Sequence, residues 1–592
     1  MMPGEPFIQA RRRLLAKALA ESCFENSLKA MAQEGDGFQV ELPGNVRYRF
    51  RATRSLWDWL IIDPDSITRN DTPAHGPQRF LLDAQMSLGI DDVLLGNLLA
   101  ELNNTLYSDV QTLRRQQSWT ASELSTLDGI TLQGLLEGHP KLLASKGRVG
   151  WGTSDLARYS PEAGTAFTLR WLAMRRQDCN SAISESDHWH DLWKASLSAQ
   201  DLASIRARLA EQGCRFDEVR LLPVHPWQWQ HCIAIHYAEL LACGELIDLG
   251  ERQGHYRAQL SLRTLSGPGD VDIKLALTVL NTSCFRGIPG RYIAIGPALS
   301  DWLTRLTQED GTLSTLIVQR ELAGIHCPAP WQEELPGTPY RFQEMLGAIW
   351  RESLEARLED GQLSRPLAAF LHSDSQGNSL IAAHVHRSGL QVEDWLRRLF
   401  EVTVVPLYHL MCAYGVGVIA HGQNLSVVLD RHVPIYGAIK DFHGDLRLWE
   451  APLAVREGLP QAVADALTHL PAHYLIHDLV TGYLVSTLRF ISPLLARDLN
   501  YPESAFYRLL SQTLRTYQRR HPQLAQRFAQ FDLFTPQLLR VCLNRARYQV
   551  GYDDSAERPL PELGPPLANP LVLTHQSITD SAATFTSEGG RP

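Results

Sequence analysis

The sequence predicts an α+β fold on three observations. A leucine stripe at helical spacing runs through the first quarter, two-residue alternation marks the middle third, and helical patterns enclose a short strand–loop–strand unit in the last third. In the first quarter, Leu94, Leu95, Leu98, Leu99, Leu102 and Leu106 fall on one helical face, because positions three and four apart share a side of an α-helix. One hairpin interrupts these helices. Phe38, Val40 and Leu42 alternate, Pro43-Gly44-Asn45 turns the chain, and Val46, Tyr48 and Phe50 alternate again.

In the middle third, Tyr256, Ala258, Leu260 and Leu262 alternate with Arg257, Gln259, Ser261 and Arg263. After the turn-rich Ser266-Gly267-Pro268-Gly269-Asp270, Val271 to Val279 alternates in the same way, with Asp272 and Lys274 among its polar positions. Period-two alternation puts each polar set on one face. Paired as a hairpin, the two segments would share a polar face bearing Ser261, Arg263 and Lys274. In the last third, helical patterns over Trp395–Cys412 and Leu475–Leu494 flank strands at Gly415–Ala420 and Leu425–Asp430 and a further strand ending at Lys440. The Pro-rich, then Ser/Thr/Gly-rich tail is expected to fray beyond about residue 576.

Composition narrows the function. A chain of 592 residues, 44% hydrophobic, exceeds what one core supports, so about two to four lobes are expected. A net charge of −9, with no basic run longer than Arg11-Arg12-Arg13, argues against a nucleic-acid partner. No stretch of about 18 apolar residues suggests a membrane partner, and the N-terminus lacks the apolar core of a secretory signal. The nine cysteines are scattered without CxxC or zinc-ligand spacing, which fits reduced thiols in a cytoplasmic protein.

Three clusters carry residue types suited to polyanions. Ser261, Arg263, Lys274 and Arg286 would form an anion platform, with the small, hydroxylic segment Asn281 to Gly290, including Ser283, beside it. Arginine offers a planar fork to carboxylate or phosphate, and lysine a mobile charge. The alternative is a solvated strand face. The second cluster is His421-Gly422-Gln423-Asn424, a polar loop between apolar strands, or else a plain turn. The third is Lys440-Asp441-Phe442-His443-Gly444-Asp445. An Asp one hairpin after an Asn is how protein kinases hold magnesium on ATP phosphates. Magnesium needs only one or two carboxylates beside phosphate oxygens. No Walker A, GxGxxG or GxSxG motif stands in a suitable strand–helix context, and no nucleophilic Ser or Cys is indicated.

Six segments in order resemble the IucA/IucC family of siderophore synthetases, over about residues 130 to 550. They are Gly138-His139-Pro140 with Lys146-Gly147-Arg148-Val149-Gly150-Trp151; Val224-His225-Pro226-Trp227-Gln228; Ser261-Leu262-Arg263-Thr264; Lys274 through Arg286; Ala420-His421-Gly422-Gln423-Asn424; and Lys440-Asp441-Phe442-His443-Gly444. The resemblance implies a cupped-hand synthetase: a thumb over 1–152, fingers over 153–385 built on an antiparallel sheet, and a palm over 386–592 similar to a kinase C-lobe. It implies ATP and Mg2+ as cofactors and a homodimer as a possible assembly. ATP would meet His139, Lys146, Arg148, Ser261, Arg263, Lys274, Ser283, Arg286, His421, Gln423, Asn424 and Asp441. Arg263, Lys274, Arg286 and His421 would act in catalysis, and Asn424 and Asp441 would hold the metal.

The implied reaction adenylates a carboxylate and joins it to an amine or N-hydroxyamine, releasing AMP and pyrophosphate. Two departures from the family pattern bear, in turn, on the substrate and on the magnesium ligand set, where Asp441 and Asn424 would have water and phosphate as further partners. Leu142-Leu143 stands where many members have a second His-Pro, and Ile419 where many have an acidic residue. The first, with the Lys146-Gly147-Arg148 and Asp441–Asp445 wording, resembles the type C branch that includes aerobactin synthase, which implies a citrate-derived monoamide or succinyl hydroxamate as acid. The alternatives are a type A enzyme using free citrate, a kinase-like phosphotransferase and a non-catalytic nucleotide-binding module.

Overall fold

The computed structural model describes residues 4–74, 76–282, 284–442, 444–551, 554 and 563–572. Ser283, His443 and the tail beyond 576 lie outside the described residues. Helices and sheets, mostly antiparallel, alternate along the chain around three large hydrophobic cores.

The first core joins helices to a small sheet. Helix Glu5–Phe24 opens with a proline in its first turn, where the missing N–H is not needed. Helix Asp92–Gln116 is capped by Asp91, whose side chain accepts from Leu94 N, and it buries Leu95, Leu98, Leu102 and Leu106 as the stripe predicts. The predicted hairpin forms from Gly37–Leu42 and Val46–Arg54 in register Leu42↔Val46. Gly44 and Asn45 take the left-handed conformation in its turn, at φ 74° and 58°, which these two residue types tolerate best.

The second core lies under an eight-stranded sheet, whose order runs Asn180–Ile183, Glu321–His326, Gly347–Glu352, Val271–Leu275, Thr264–Ser266, Leu246–Ala258, Phe167–Arg175 and Val219–Val224. Here the alternation misled in two places. The predicted strand over 256–263 ends at Ala258. Residues 259–263 fold into a turn in which Leu262 N–H donates to Gln259 O at 3.0 Å and Leu262 is left-handed at φ 68°. Burial of the Leu262 side chain in the sheet core holds this turn against its backbone preference. The hairpin that does form pairs Thr264–Ser266 with Val271–Leu275. The second predicted strand breaks at Ala276, whose N–H goes to Gly347 O, and Leu277–Asn281 pairs instead with Cys284–Arg286. Ser261 and Arg263 therefore sit on a turn beside Lys274 rather than on one strand face with it.

The third core binds the C-terminal helices to two smaller sheets. Helices Val392–Val402 and Val404–Tyr414 precede strand Val416–Val418. Leu425–Asp430 then pairs with Val433–Ile439 in register Leu425↔Ile439. The helical run 472–499 passes through a π-helical stretch, Val480–Leu488. It is long and apolar enough to cross a membrane, but its most apolar window is 72% buried inside the protein, which makes it a core helix.

Candidate active site

Two sheets meet at the site. On the large sheet, Asp272 lies opposite Arg351 and Lys274 opposite Ile349, so alternation turns Asp272, Lys274 and Arg351 toward one side. On the smaller sheet, the register of Leu425 with Ile439 brings the loop 421–424 beside the chain leaving Val433–Ile439. Lys440 N–H donates to Asn424 O at 3.2 Å. The next residue, Asp441, turns left-handed at φ 62°, a conformation Asp adopts more readily than most residues.

That turn drives Asp441 into the large sheet. Its Oδ1 accepts from Lys274 Nζ at 2.6 Å and from Arg351 Nη1 at 3.0 Å; Oδ2 accepts no hydrogen bond among the described residues. All three side chains are buried. Burial alone would raise the Asp441 carboxyl pKa, yet Lys274, Arg351 and Lys440 hold it well below the usual range. The same burial lowers Lys274, against the attraction of Asp441. It pushes Lys440 down to about 8, helped by Arg351. Gln259 links the group, donating to Asp272 at 2.7 Å and accepting from Lys440 at 3.4 Å.

Cations and carboxylates interleave here, with Glu321 also acting on Lys274 and Glu344 on Arg263. Lys274, Arg351 and Lys440 face Asp272 and Asp441, and Arg263 and Arg286 stand alongside. Arg263 donates to Gly287 O. Arg286 is tied to Asn281 O at 2.8 Å and to Thr282. Its Nε is buried without an acceptor among the described residues, as is Nε of Arg351, whose Nη2 lies 3.8 Å from Asp272 Oδ2 in an ion pair. Buried donors left unmatched are costly, and an anion entering the site would satisfy them.

Two imidazoles flank the cations. His421 Nδ1 accepts from Gln423 N and His139 Nδ1 from Lys141 N and Leu142 N, each at 3.2 Å. Each neutral ring therefore carries its proton on Nε2 and can donate it. Burial lowers both pKa values. For His421, Asp445 and Asp441 oppose the shift; for His139, nearby His421 and Lys17 add to it. Asn424 donates to Asp445 at 2.9 Å, leaving its amide oxygen available. No group of three His, Cys, Asp or Glu suited to a metal occurs among the described residues. Asp441 Oδ2, Asp445 and the Asn424 oxygen are nonetheless hard donors that fit magnesium completed by phosphate oxygens and water.

The other expected residues divide. Lys146 is held by Asp109 and Glu162, each at 3.1 Å, and by Thr112 at 2.9 Å. Arg148 pairs with Glu162 at 2.7 Å but keeps buried Nε and Nη1 without acceptors among the described residues. Ser261 accepts from Thr264 N within its turn. Sequence reasoning missed Arg351, Asp272 and Gln259. Arg351 ends the apolar run Gly347–Trp350, and only strand pairing reveals its partner. Lys440 and Asp445 stood in a recognised segment but were not chosen.

Comparison with known proteins identifies the family and the fold. The IucA / IucC family model matches residues 130–372, and the model described as ferric iron reductase FhuF-like transporter matches 393–556. The two cysteines in that second span, Cys412 and Cys542, are both buried. The chain is 41% identical to aerobactin synthase of Escherichia coli, over 95% of this chain and 98% of that protein. Its fold matches aerobactin synthetase IucC from a hypervirulent pathotype of Klebsiella pneumoniae with TM-score 0.86 at 39% identity, covering 96% of this chain and 99% of the other. The fold of ATP-bound aerobactin synthetase IucA from the same source aligns with TM-score 0.76 at 17% identity, covering 95% and 100%. A relative this similar over nearly its whole length settles the kinship: the chain belongs to the IucA / IucC family.

Proposed function

We propose that this protein is a cytoplasmic, ATP-dependent siderophore synthetase that activates a carboxylate as its adenylate and condenses it with an amine or N-hydroxyamine, releasing AMP and pyrophosphate. The observation that carries the reading is the cluster of five cations, Lys274, Arg351, Lys440, Arg263 and Arg286, that two sheets gather around Asp441. Such a site gathers two polyanions and neutralises charge without forming a covalent enzyme intermediate.

The three lobes are assigned as thumb 1–152, fingers 153–385 and palm 386–592. Lys274 and Arg263 would receive the nucleotide phosphates, and the open edges of Arg286 and Arg351 would take the substrate carboxylate or the remaining phosphate charge. Asp441 and Asn424 would hold magnesium, which would supply charge neutralisation on the phosphates. His421 and His139 would donate from Nε2 to oxygens that gain charge as the carboxylate attacks phosphorus. The same donors would then steady the tetrahedral centre formed by the amine. Arg148 would approach from the thumb, while Lys146 fixes its loop through Glu162 and Asp109. The type C resemblance favours a citrate-derived monoamide or succinyl hydroxamate as the acid.

The test is product analysis with magnesium, ATP, a carboxylate and an amine. Carboxylate-dependent AMP and pyrophosphate are expected. ADP and phosphate as stoichiometric products would refute adenylation and return the kinase-like reading.

A further inference from the structure

Two of the nine cysteines face each other across the edge of the large sheet, away from Asp441. Strand Asn180–Ile183 pairs antiparallel with Glu321–His326 in register Asn180↔His326, so the next position sets Cys179 opposite Cys327. Both residues continue the ladder. Cys179 is extended, at φ −133° and ψ 146°, and Cys327 N–H donates to Leu346 O at 2.9 Å.

The type of pair follows from the hydrogen bonds. Ser184 N–H donates to Leu322 O at 2.8 Å, which makes that a hydrogen-bonded pair. Pairs alternate along the ladder, and Cys179 lies an odd number of positions away. Cys179 and Cys327 therefore form a non-hydrogen-bonded pair, where Cα atoms are about 4.5 Å apart and side chains are closest. That falls inside the roughly 4.4–6.8 Å span from which a disulfide closes. Among the described strand pairings, no other cysteine has a cysteine opposite it.

We propose that Cys179 and Cys327 are an oxidation site for hydroperoxides, with Cys179 the attacking and Cys327 the resolving thiol. Cys179 is half-buried and Cys327 fully buried, so the oxidant meets Cys179 first. Cys179 Sγ donates to Arg176 O at 3.8 Å, while the neighbouring Cys327 thiol lowers the Cys179 pKa, against burial and with help from Arg220. The Cys179 thiol and burial raise Cys327, which fits the thiol that keeps its proton until the second step.

The Cys179 thiolate attacks one peroxide oxygen; the O–O bond breaks, a sulfenic acid forms and hydroxide leaves. Cys327 sulfur then attacks the sulfenic sulfur. The S–S bond forms as the S–O bond breaks, and the departing hydroxide leaves as water with the Cys327 proton. Overall, two thiols lose two electrons and one hydrogen peroxide becomes two waters.

The full-length protein would be titrated with hydrogen peroxide, quenched with an alkylating agent and mapped without reduction. The expected result is loss of two of the nine thiols as one Cys179–Cys327 linked peptide, restored by dithiothreitol. Cys327→Ser should leave a Cys179 sulfenic acid that dimedone traps, and Cys179→Ala should remove the linked peptide. The wild-type map decides the matter even if a variant misfolds. Oxidation of exposed Cys243 with the pair left reduced, or over-oxidation of Cys179 without a cross-link, would overturn the proposal.

Discussion

Replacing Asp441 with Asn tests the site most directly, because the structure gives this residue two duties. As the acceptor of Lys274 and Arg351, it neutralises part of a buried cation cluster. Removing one partner of a buried pair costs about 3–5 kcal/mol. As the proposed metal ligand, it also stabilises charge in the transition state, where loss of one group costs about 3 kcal/mol, or roughly a hundredfold in turnover. A double-mutant cycle with Lys274→Met separates the duties. Direct contact predicts a coupling of about 2 kcal/mol in stability, since the second substitution removes a cation the first left unpaired. Near neutral pH the Asp441 carboxyl stays ionised, because its folded pKa lies below the usual range; its stabilising contribution fades only in stronger acid. The assay pairs denaturant unfolding with pyrophosphate release at saturating magnesium. Additive stabilities would refute the clasp, and wild-type turnover in a destabilised Asp441→Asn protein would refute the metal role.

Four further outcomes are expected. With Lys440 titrating at about 8, the cluster loses positive charge above that pH, so KM for ATP should rise there; Lys440→Arg should abolish this limb, and an unchanged limb would exclude Lys440. Lys146→Met should destabilise the fold by leaving Asp109 without its cation and Glu162 with Arg148 alone, with little change in KM for ATP; the opposite pattern would put Lys146 on the phosphates. Arg286→Ala should raise KM or lower turnover with little change in melting temperature, and a large loss of stability with retained kinetics would make it structural. A monoamidated acid should outperform free citrate in kcat/KM, as the type C resemblance implies; equal use of citrate would refute that assignment.

Local signals carried much of the architecture. The hairpin at Pro43-Gly44-Asn45 and the stripe of Asp92–Gln116 depend on neighbours in sequence and formed as read. The break after Ala258 did not announce itself, because Leu260 and Leu262 keep the strand alternation while tertiary burial selects a left-handed turn. The site was legible where its residues share a segment, as in His421 to Asn424. It was hidden where a partner arrives by strand pairing, as Arg351 does opposite Asp272. Lys146 shows the converse: its segment is distinctive, yet carboxylates from two other elements, half-buried Asp109 and buried Glu162, occupy it.

The clasp on Asp441 has a thermodynamic corollary. A free basic cleft would take up a polyanion by simple addition, but here Lys274 must share its ammonium between a carboxylate and a phosphate. Nucleotide alone would weaken the hold on Asp441 and bring like charge toward it. A divalent cation on Oδ2 would offset that loss. Nucleotide and metal should consequently bind with positive cooperativity, each raising the other's affinity by the same factor.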